Sequence, residues 1–218
     1  IWQFFHGNFT PSEYITVPPT YHAIIAGFLK VIGVFSVELA RVIQLLICAL
    51  TIPVLYLTNK QLGHQNNDYR TLLFLTCPIA LPFFSILYTD IPSLLLAILI
   101  FLLTLQQRYF LAAFVGAGAI AMRQPNLIWV IFCATYVFMD YLLTKGWRNA
   151  FNPRDKENWT LVLKLLPYGV VSLGAALIFV LRETVAVGDA GMHQISLNLS
   201  NLYMFLLLSF LFFLPYHI

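Results

Sequence analysis

The stretch at residues 119–132, "AIAMRQPNLIWVIF", joins two apolar runs through the polar tetrapeptide "RQPN". Pro125 lacks a backbone N–H and kinks or breaks a helix, so with its polar neighbours it predicts a helix break at this tetrapeptide. The apolar residues on both sides predict two membrane helices joined by a tight polar turn. Arg123 in that turn needs an explanation, because a cation beside the bilayer is costly unless it has a partner or a function.

Composition assigns the rest of the chain to the membrane as well. Of the 218 residues, 60% are hydrophobic and only 10% are charged, whereas soluble domains carry about 25% charged residues. The mean hydropathy is +0.82, and the formal net charge of +3 is spread over scattered basic residues, so the charge pattern does not indicate nucleic-acid binding. Cys48, Cys77 and Cys133 lie inside apolar runs without metal-ligand spacing. We predict an all-α polytopic membrane protein whose cysteines act as small hydrophobic residues.

Seven apolar runs have about the length of a transmembrane helix, roughly 17 to 25 residues. The predicted spans are 39–58, 71–88, 91–107, 109–123, 127–144, 160–182 and 201–216. The stretch 20–37 carries Lys30 at its centre, which costs about 2.5 to 3.5 kcal/mol in a span, so we expect an interfacial or re-entrant helix there. The predicted organisation is one transmembrane domain over 1–218, with a non-cytosolic segment at 1–38 and the transmembrane helices at 39–218.

The basic residues indicate the orientation of the spans, because cytosolic loops are enriched in lysine and arginine. The basic loops contain Lys60 and Arg70, then Arg108, then Lys145, Arg148, Arg154 and Lys156. The opposite set comprises the N-terminal segment, the turns at 87–92 and 122–126, and the loop at 182–194. These four segments predict a polar pocket at the non-cytosolic end of the bundle, with Glu13, Asp90, Arg123, Gln124, Asp189, His193 and Gln194 as its candidate side chains.

Each candidate also has a purely structural interpretation. A lone arginine at a helix end is most often a snorkelling side chain, and this interpretation of Arg123 stays open. Thr89 or Asp90 is equally suited to capping the following helix, and Asp189 to a turn between glycines. The functional interpretation is that Arg123 binds a phosphate through paired hydrogen bonds, and that Asp189 and His193 supply acid/base or substrate-binding groups.

Four motifs in this order carry a family resemblance. They are "ITVPPTY" at 15–21, "LPFFSILYTDIPSLLL" at 81–96, "AMRQPNLIWVIF" at 121–132 and "AVGDAGMHQ" at 186–194. The chain resembles, over nearly its whole length, the α-1,2-glucosyltransferases of the endoplasmic reticulum that use dolichyl-phosphate glucose. Those enzymes add the terminal glucose of the lipid-linked oligosaccharide used in N-glycosylation. The resemblance implies a GT-C type helix bundle in the endoplasmic reticulum membrane, with residues 1–38 and the site facing the lumen.

The resemblance also implies roles for individual residues in an inverting glucose transfer. Donor-phosphate binding would fall to Arg123, Gln124, His193 and Gln194. Sugar or acceptor binding would fall to Tyr88, Asp90 and Asp189. The pocket wall would contain Thr16, Pro18 and Pro19. The implied partners are dolichyl-phosphate glucose, the dolichyl-diphosphate oligosaccharide acceptor and membrane lipids, with no metal or other cofactor.

Several features depart from the family pattern. Val17 and Thr20 replace a threonine and a glycine of the proline segment, and Pro125 stands where a threonine is common. Because the chain begins at Ile1 and stops in an apolar run, we expect an internal piece of a longer protein that is inactive alone. The catalytic base is unknown and is expected in an acidic motif upstream of Ile1. Two alternatives remain: another lumenal GT-C mannosyl- or glucosyltransferase, and a non-catalytic transporter or channel-associated membrane protein.

Overall fold

A computed structural model describes residues 1–8, 18–77, 81–146 and 156–181, together with Leu202, Tyr203 and Leu206. Within this part of the chain the secondary structure is helical, without strands. The α-helices are α1 (Trp2–Phe5), α2 (Thr20–Ile32), α3 (Val37–Ala49), α4 (Thr51–Gln61), α5 (Asn67–Leu75), α6 (Asp90–Leu105), α7 (Tyr109–Met122), α8 (Leu127–Lys145) and α9 (Lys156–Leu181). Two short 3₁₀ helices occupy Leu81–Phe84 and Gln124–Asn126.

Three helical segments are long and apolar enough to cross a membrane. They are Val37–Gln61, which joins α3 to α4, Gln124–Lys145 and Asn158–Leu181. These segments coincide with the predicted spans at 39–58, 127–144 and 160–182, and their length and composition suit a membrane-crossing helix. Only 22 to 28% of each apolar window is buried inside the protein. The large exposed apolar surface is what helices with lipid-facing sides require, since acyl chains replace protein as their apolar environment.

Helices α6 and α7 coincide with the predicted spans at 91–107 and 109–123 but are shorter, with 16 and 14 residues. Both fall below the roughly 17 residues of a typical span. Helix α6 lies in the centre of the bundle, in contact with α4, α7 and α8. At the crossing of α7 and α8, a Cβ atom on Gly116 would lie 2.8 Å from Cγ2 of Val130, so only glycine permits this close approach.

The predicted span at 71–88 is wrong as a continuous helix. Helix α5 ends at Leu75, and the chain resumes with the 3₁₀ helix Leu81–Phe84 before α6 begins at Asp90. Pro78 and Pro82 explain the difference, because each lacks the N–H that a helix needs and hinders the preceding turn. The predicted span at 201–216 falls almost wholly outside the described residues.

The stretch predicted not to cross, 20–37, contains helix α2 of 13 residues. At a rise of 1.5 Å per residue this helix is about 20 Å long, too short for a bilayer core of about 30 Å. It ends at Gly33, whose φ of 81° is the left-handed conformation favoured at helix C-termini. Ser36 then caps α3 by accepting a hydrogen bond from the Leu39 amide at 3.2 Å. The interfacial placement of α2 stays a prediction.

Candidate functional site at one end of the bundle

Arg123 and Asp90 form an ion pair between two helix ends. Arg123 is the C-cap residue that directly follows α7, and Asp90 is the first residue of α6. Nη1 of Arg123 donates a hydrogen bond to Oδ1 of Asp90. The two side chains are 28% and 34% exposed, so the pair is partly buried but open to a ligand. The structure thus brings together the turns at 87–92 and 122–126, as the sequence predicts.

Tyr88 completes a three-residue group around this guanidinium. Cζ of Arg123 lies 6.0 Å from the centroid of the Tyr88 ring, within the range of a cation–π interaction. A guanidinium carries several N–H donors in a fixed fork, and the bond to Asp90 leaves others directed elsewhere. This arrangement offers an anion a cation that is already oriented by a carboxylate and an aromatic face.

Asn126 holds the turn that carries Arg123. Its side chain is 4% exposed and donates through Nδ2 to the Ala119 carbonyl at 2.7 Å. Its Oδ1 accepts a hydrogen bond from Oγ of Ser93 on α6 at 3.0 Å. The Asn126 amide also donates to the Arg123 carbonyl at 3.0 Å. Since Asn126 connects α6, α7 and the 3₁₀ helix, it determines where Arg123 lies relative to Asp90.

Gln44 of α3 holds the other turn and was missed by sequence reasoning. This fully buried side chain donates through Nε2 to the Tyr88 carbonyl and to Sγ of Cys48, both at 3.2 Å. A lone glutamine inside the apolar run 39–58 was the available signal, because buried amides are kept where they have a partner. Among the described residues, Oε1 of Gln44 and Oγ1 of Thr89 have no hydrogen-bond partner. Two unsatisfied oxygens therefore lie beside the turn that carries Tyr88 and Asp90.

The proline segment leads into the same end of the bundle. Pro19 is the N-cap residue of α2, and Tyr21 in the first turn is 1% exposed. Tyr21 belongs to a core cluster that also contains Met122, the residue before Arg123. Leu87 packs against this cluster. Burial raises the pKa of Tyr21, so its hydroxyl stays protonated at physiological pH. Pro18 and Pro19 thus begin a helix that packs beside both polar turns.

The remaining sequence-predicted residues divide into two groups. Gln124 lies in the 3₁₀ helix next to Arg123 and is 9% exposed, so it belongs to the buried part of the turn. The other candidates are outside the described residues, and their roles stay predictions. These residues are Glu13, Thr16, Asp189, His193 and Gln194. Cys48 and Cys133 are buried free thiols, as expected of small hydrophobic residues, whereas Cys77 is only partly buried.

The fold and the ion-paired turns define a multi-pass helical membrane protein with a polar site at one end of its bundle. Comparison with known proteins specifies this class further. Residues 2–159 match the model of the DIE2/ALG10 family, and the chain belongs to that family. The matched range contains Tyr88, Asp90, Arg123 and Gln124.

Curated relatives share a single name, Dol-P-Glc:Glc(2)Man(9)GlcNAc(2)-PP-Dol alpha-1,2-glucosyltransferase. The Drosophila melanogaster relative is 26% identical over 216 residues, covering 87% of this chain and 48% of the relative. A Homo sapiens relative is 23% identical over 260 residues, covering 98% of this chain and 55% of the relative. The chain thus spans about half the length of these curated relatives. No solved structure matches it.

Proposed function

We propose that this chain is part of a membrane glucosyltransferase that transfers glucose from dolichyl-phosphate glucose to the lipid-linked oligosaccharide in α-1,2 linkage. The names of its relatives and its family membership support this activity. The structural observation that carries the proposal is the contact of Arg123 with Asp90 beside Tyr88 at one bundle end. A GT-C type bundle in the endoplasmic reticulum membrane, with this end in the lumen, places the site where its lipid-linked substrates lie.

Arg123 binds the donor phosphate in this proposal. Dolichyl phosphate leaves with negative charge, and a cation fixed in advance in a low-dielectric site stabilises that charge most effectively. Guanidinium groups bind phosphate oxygens through paired hydrogen bonds. Asp90 occupies only part of the donor set of Arg123 and orients the rest. Gln124 supports the turn, while His193 and Gln194 add donors to the phosphate.

Asp90 and Tyr88 contact sugar hydroxyls in the same scheme. Oδ1 of Asp90 accepts from Arg123, which leaves Oδ2 to accept from a hydroxyl of glucose. Tyr88 is 44% exposed and presents an aromatic face beside the guanidinium. Asp189 serves a second hydroxyl. The segment with Thr16, Pro18 and Pro19 forms the adjacent wall.

The reaction is a single inverting displacement. The 2-hydroxyl oxygen of the acceptor glucose bonds to the anomeric carbon of the donor while the bond from that carbon to the phosphate oxygen breaks. The hydroxyl proton passes to a carboxylate base, and the electron pair leaves with dolichyl phosphate, whose charge meets Arg123. We assign the base to an acidic motif of the whole enzyme upstream of Ile1. A metal ion has no role in this scheme.

The proposal is tested with Arg123→Ala in the full-length enzyme. We expect glucose transfer to fall about 100- to 1,000-fold, the usual effect of removing one group that stabilises developing negative charge. Arg123→Lys should retain part of the activity, because lysine keeps the charge but not the fork. The measurement is the initial rate of transfer from radiolabelled dolichyl-phosphate glucose in microsomes.

The matched control is Arg108→Ala, which removes an arginine from the opposite end of α7. It should leave the rate within about twofold of wild type, as expected for an exposed surface substitution. Equal losses in the two variants would contradict a specific role of Arg123. Transfer of mannose in place of glucose by wild-type enzyme, measured with dolichyl-phosphate mannose, would instead identify the enzyme as a different GT-C transferase.

A further inference from the structure

A polar cavity lies at the opposite end of the bundle from Arg123. Its volume is about 230 Å³, far above the roughly 10 to 15 Å³ that one water needs. The last turn of α6, the start of α7, the end of α8 and the start of α9 surround it. Its polar lining includes Thr104, Tyr109, Tyr136, Asp140, Tyr141 and Lys164. The transferase scheme uses none of these residues.

The lining of the cavity includes one cation and one anion on different helices, and a second cation, Lys145, lies over the lining ring of Tyr141. Lys164 of α9 is half-buried, and its Nζ lies 5.7 Å from the centroid of the Tyr109 ring on α7. Asp140 of α8 is exposed at the cavity. The hydroxyls of Thr104 and Tyr168 are buried and hydrogen-bonded to each other at 2.6 Å, which ties α6 to α9 behind the cavity. The site is thus a recess that presents opposite charges from separate elements.

The position of the cavity determines which ligands can reach it. Helix α8 ends at Lys145 and α9 begins at Lys156, so the cavity opens where two membrane-spanning segments leave the apolar layer. At this depth the available ligands are phospholipid headgroups. A basic residue alone would favour an anionic headgroup, whereas a lysine together with an aspartate matches a phosphate linked to an ammonium.

We propose that this cavity binds the phosphoethanolamine headgroup of a phospholipid. The phosphate accepts charge-assisted hydrogen bonds from Lys164, and the primary ammonium donates to the Asp140 carboxylate. The tyrosine faces argue against choline, because Lys164 already lies over Tyr109 and Lys145 lies over Tyr141 at 5.5 Å. Two of the three lining tyrosine rings are thus in contact with lysines, and the remaining ring of Tyr136 cannot by itself form an aromatic cage around a quaternary ammonium.

Native mass spectrometry of the full-length protein tests the site directly. Protein released from detergent micelles is titrated with phosphatidylethanolamine, phosphatidylcholine or phosphatidylglycerol of identical acyl chains, and with inorganic phosphate alone. We expect phosphatidylethanolamine to bind about tenfold more tightly than either other lipid, which corresponds to about 1.4 kcal/mol for the added ion pair. Binding of inorganic phosphate as tight as that of the lipid would overturn the proposal, since the site would then recognise a free anion.

Two substitutions separate the two halves of the headgroup. Lys164→Met should weaken phosphatidylethanolamine about tenfold, and Lys164→Arg should restore it, because phosphate recognition needs the cation. Asp140→Asn should abolish the preference for phosphatidylethanolamine over phosphatidylglycerol, because only the ammonium contact is lost. The matched control Lys60→Met removes an exposed lysine from the end of α4, outside the cavity. Two results would refute the site: equal weakening of phosphatidylethanolamine binding in Lys60→Met and Lys164→Met, or an unchanged preference for phosphatidylethanolamine over phosphatidylglycerol in Asp140→Asn. The readout is binding, so its outcome is independent of glucose transfer.

Discussion

The two ends of the helix bundle hold opposite charges in different ways. At one end Arg123 and Asp90 are in direct contact, and the buried amides of Asn126 and Gln44 fix the turns that carry or precede them. At the other end Lys164 and Asp140 line a cavity of about 230 Å³. The difference teaches that the two proposed ligands need different sites: the proposed phosphate would join an existing ion pair at the first end, whereas the proposed headgroup would fill the space between charges at the second.

The largest effect on this comparison is expected from Asn126→Ala. The substitution leaves Oγ of Ser93 without its partner and removes one of the two hydrogen bonds that the Ala119 carbonyl accepts, the other coming from the backbone N–H of Arg123 at 2.9 Å. The unsatisfied Ser93 hydroxyl costs about 1 to 3 kcal/mol and the lost hydrogen bond to Ala119 about 0.5 to 1.5 kcal/mol, so we expect the free energy of unfolding to fall by about 2 to 4 kcal/mol. Thermal unfolding of the purified full-length protein in detergent measures the change.

A second variant tests the cause of that loss. Ser93→Ala in the Asn126→Ala background removes the unsatisfied hydroxyl and should recover part of the stability. Strictly additive losses in the double variant would contradict the Ser93–Asn126 contact. Lipid binding at the far end should change little in the single variant, because Asn126 touches no residue of that cavity.

A smaller loss of stability is expected from Gly116→Ala. This substitution tests whether α7 couples the two ends of the bundle. The added Cβ would lie 2.8 Å from Cγ2 of Val130, and overpacking of this kind costs about 1 to 3 kcal/mol. Because α7 begins at Tyr109 and is followed by Arg123, its displacement should weaken both glucose transfer and lipid binding. Glucose transfer and lipid binding are measured on the same protein preparation, and a loss of both shows that α7 couples the two ends.

Gly118→Ala is the matched control for that substitution. A Cβ at Gly118 meets no atom within 4 Å, so this variant should match wild type or exceed it slightly through higher helix propensity. Adding Val130→Ala to Gly116→Ala should relieve the crowding. Wild-type stability of Gly116→Ala alone would show that α7 and α8 do not approach as closely as the structure indicates.

Sequence reasoning predicted the end of the bundle at which the polar turns meet. Each span moves the chain to the other side of the membrane. The turns with Asp90 and Arg123 are separated by two predicted spans, so both are expected at the same end. The same reasoning wrongly predicted a continuous span at 71–88, because hydropathy counts apolar side chains and ignores the missing N–H groups of Pro78 and Pro82.

Contacts between distant helices were beyond the sequence. Nothing in the order of residues connects Gln44 to the Tyr88 carbonyl or Ser93 to Asn126, since both depend on how α3, α6 and α7 pack. The cavity at Lys164 has the same origin, because its lining comes from four helices. The contacts that hold the predicted site, and the entire cavity at Lys164, therefore depend on tertiary packing.

The central claim is that Arg123 meets a phosphate as well as Asp90, and exchange of the two charges tests it most directly. Asp90→Arg combined with Arg123→Asp restores an ion pair between the same helix ends but moves the cation to α6. We predict that the doubly substituted full-length enzyme regains thermal stability relative to either single variant, while its rate of glucose transfer stays at least about 100-fold below wild type. Recovery of wild-type transfer by the exchange would contradict the claim and reduce the pair to a structural link between α6 and α7.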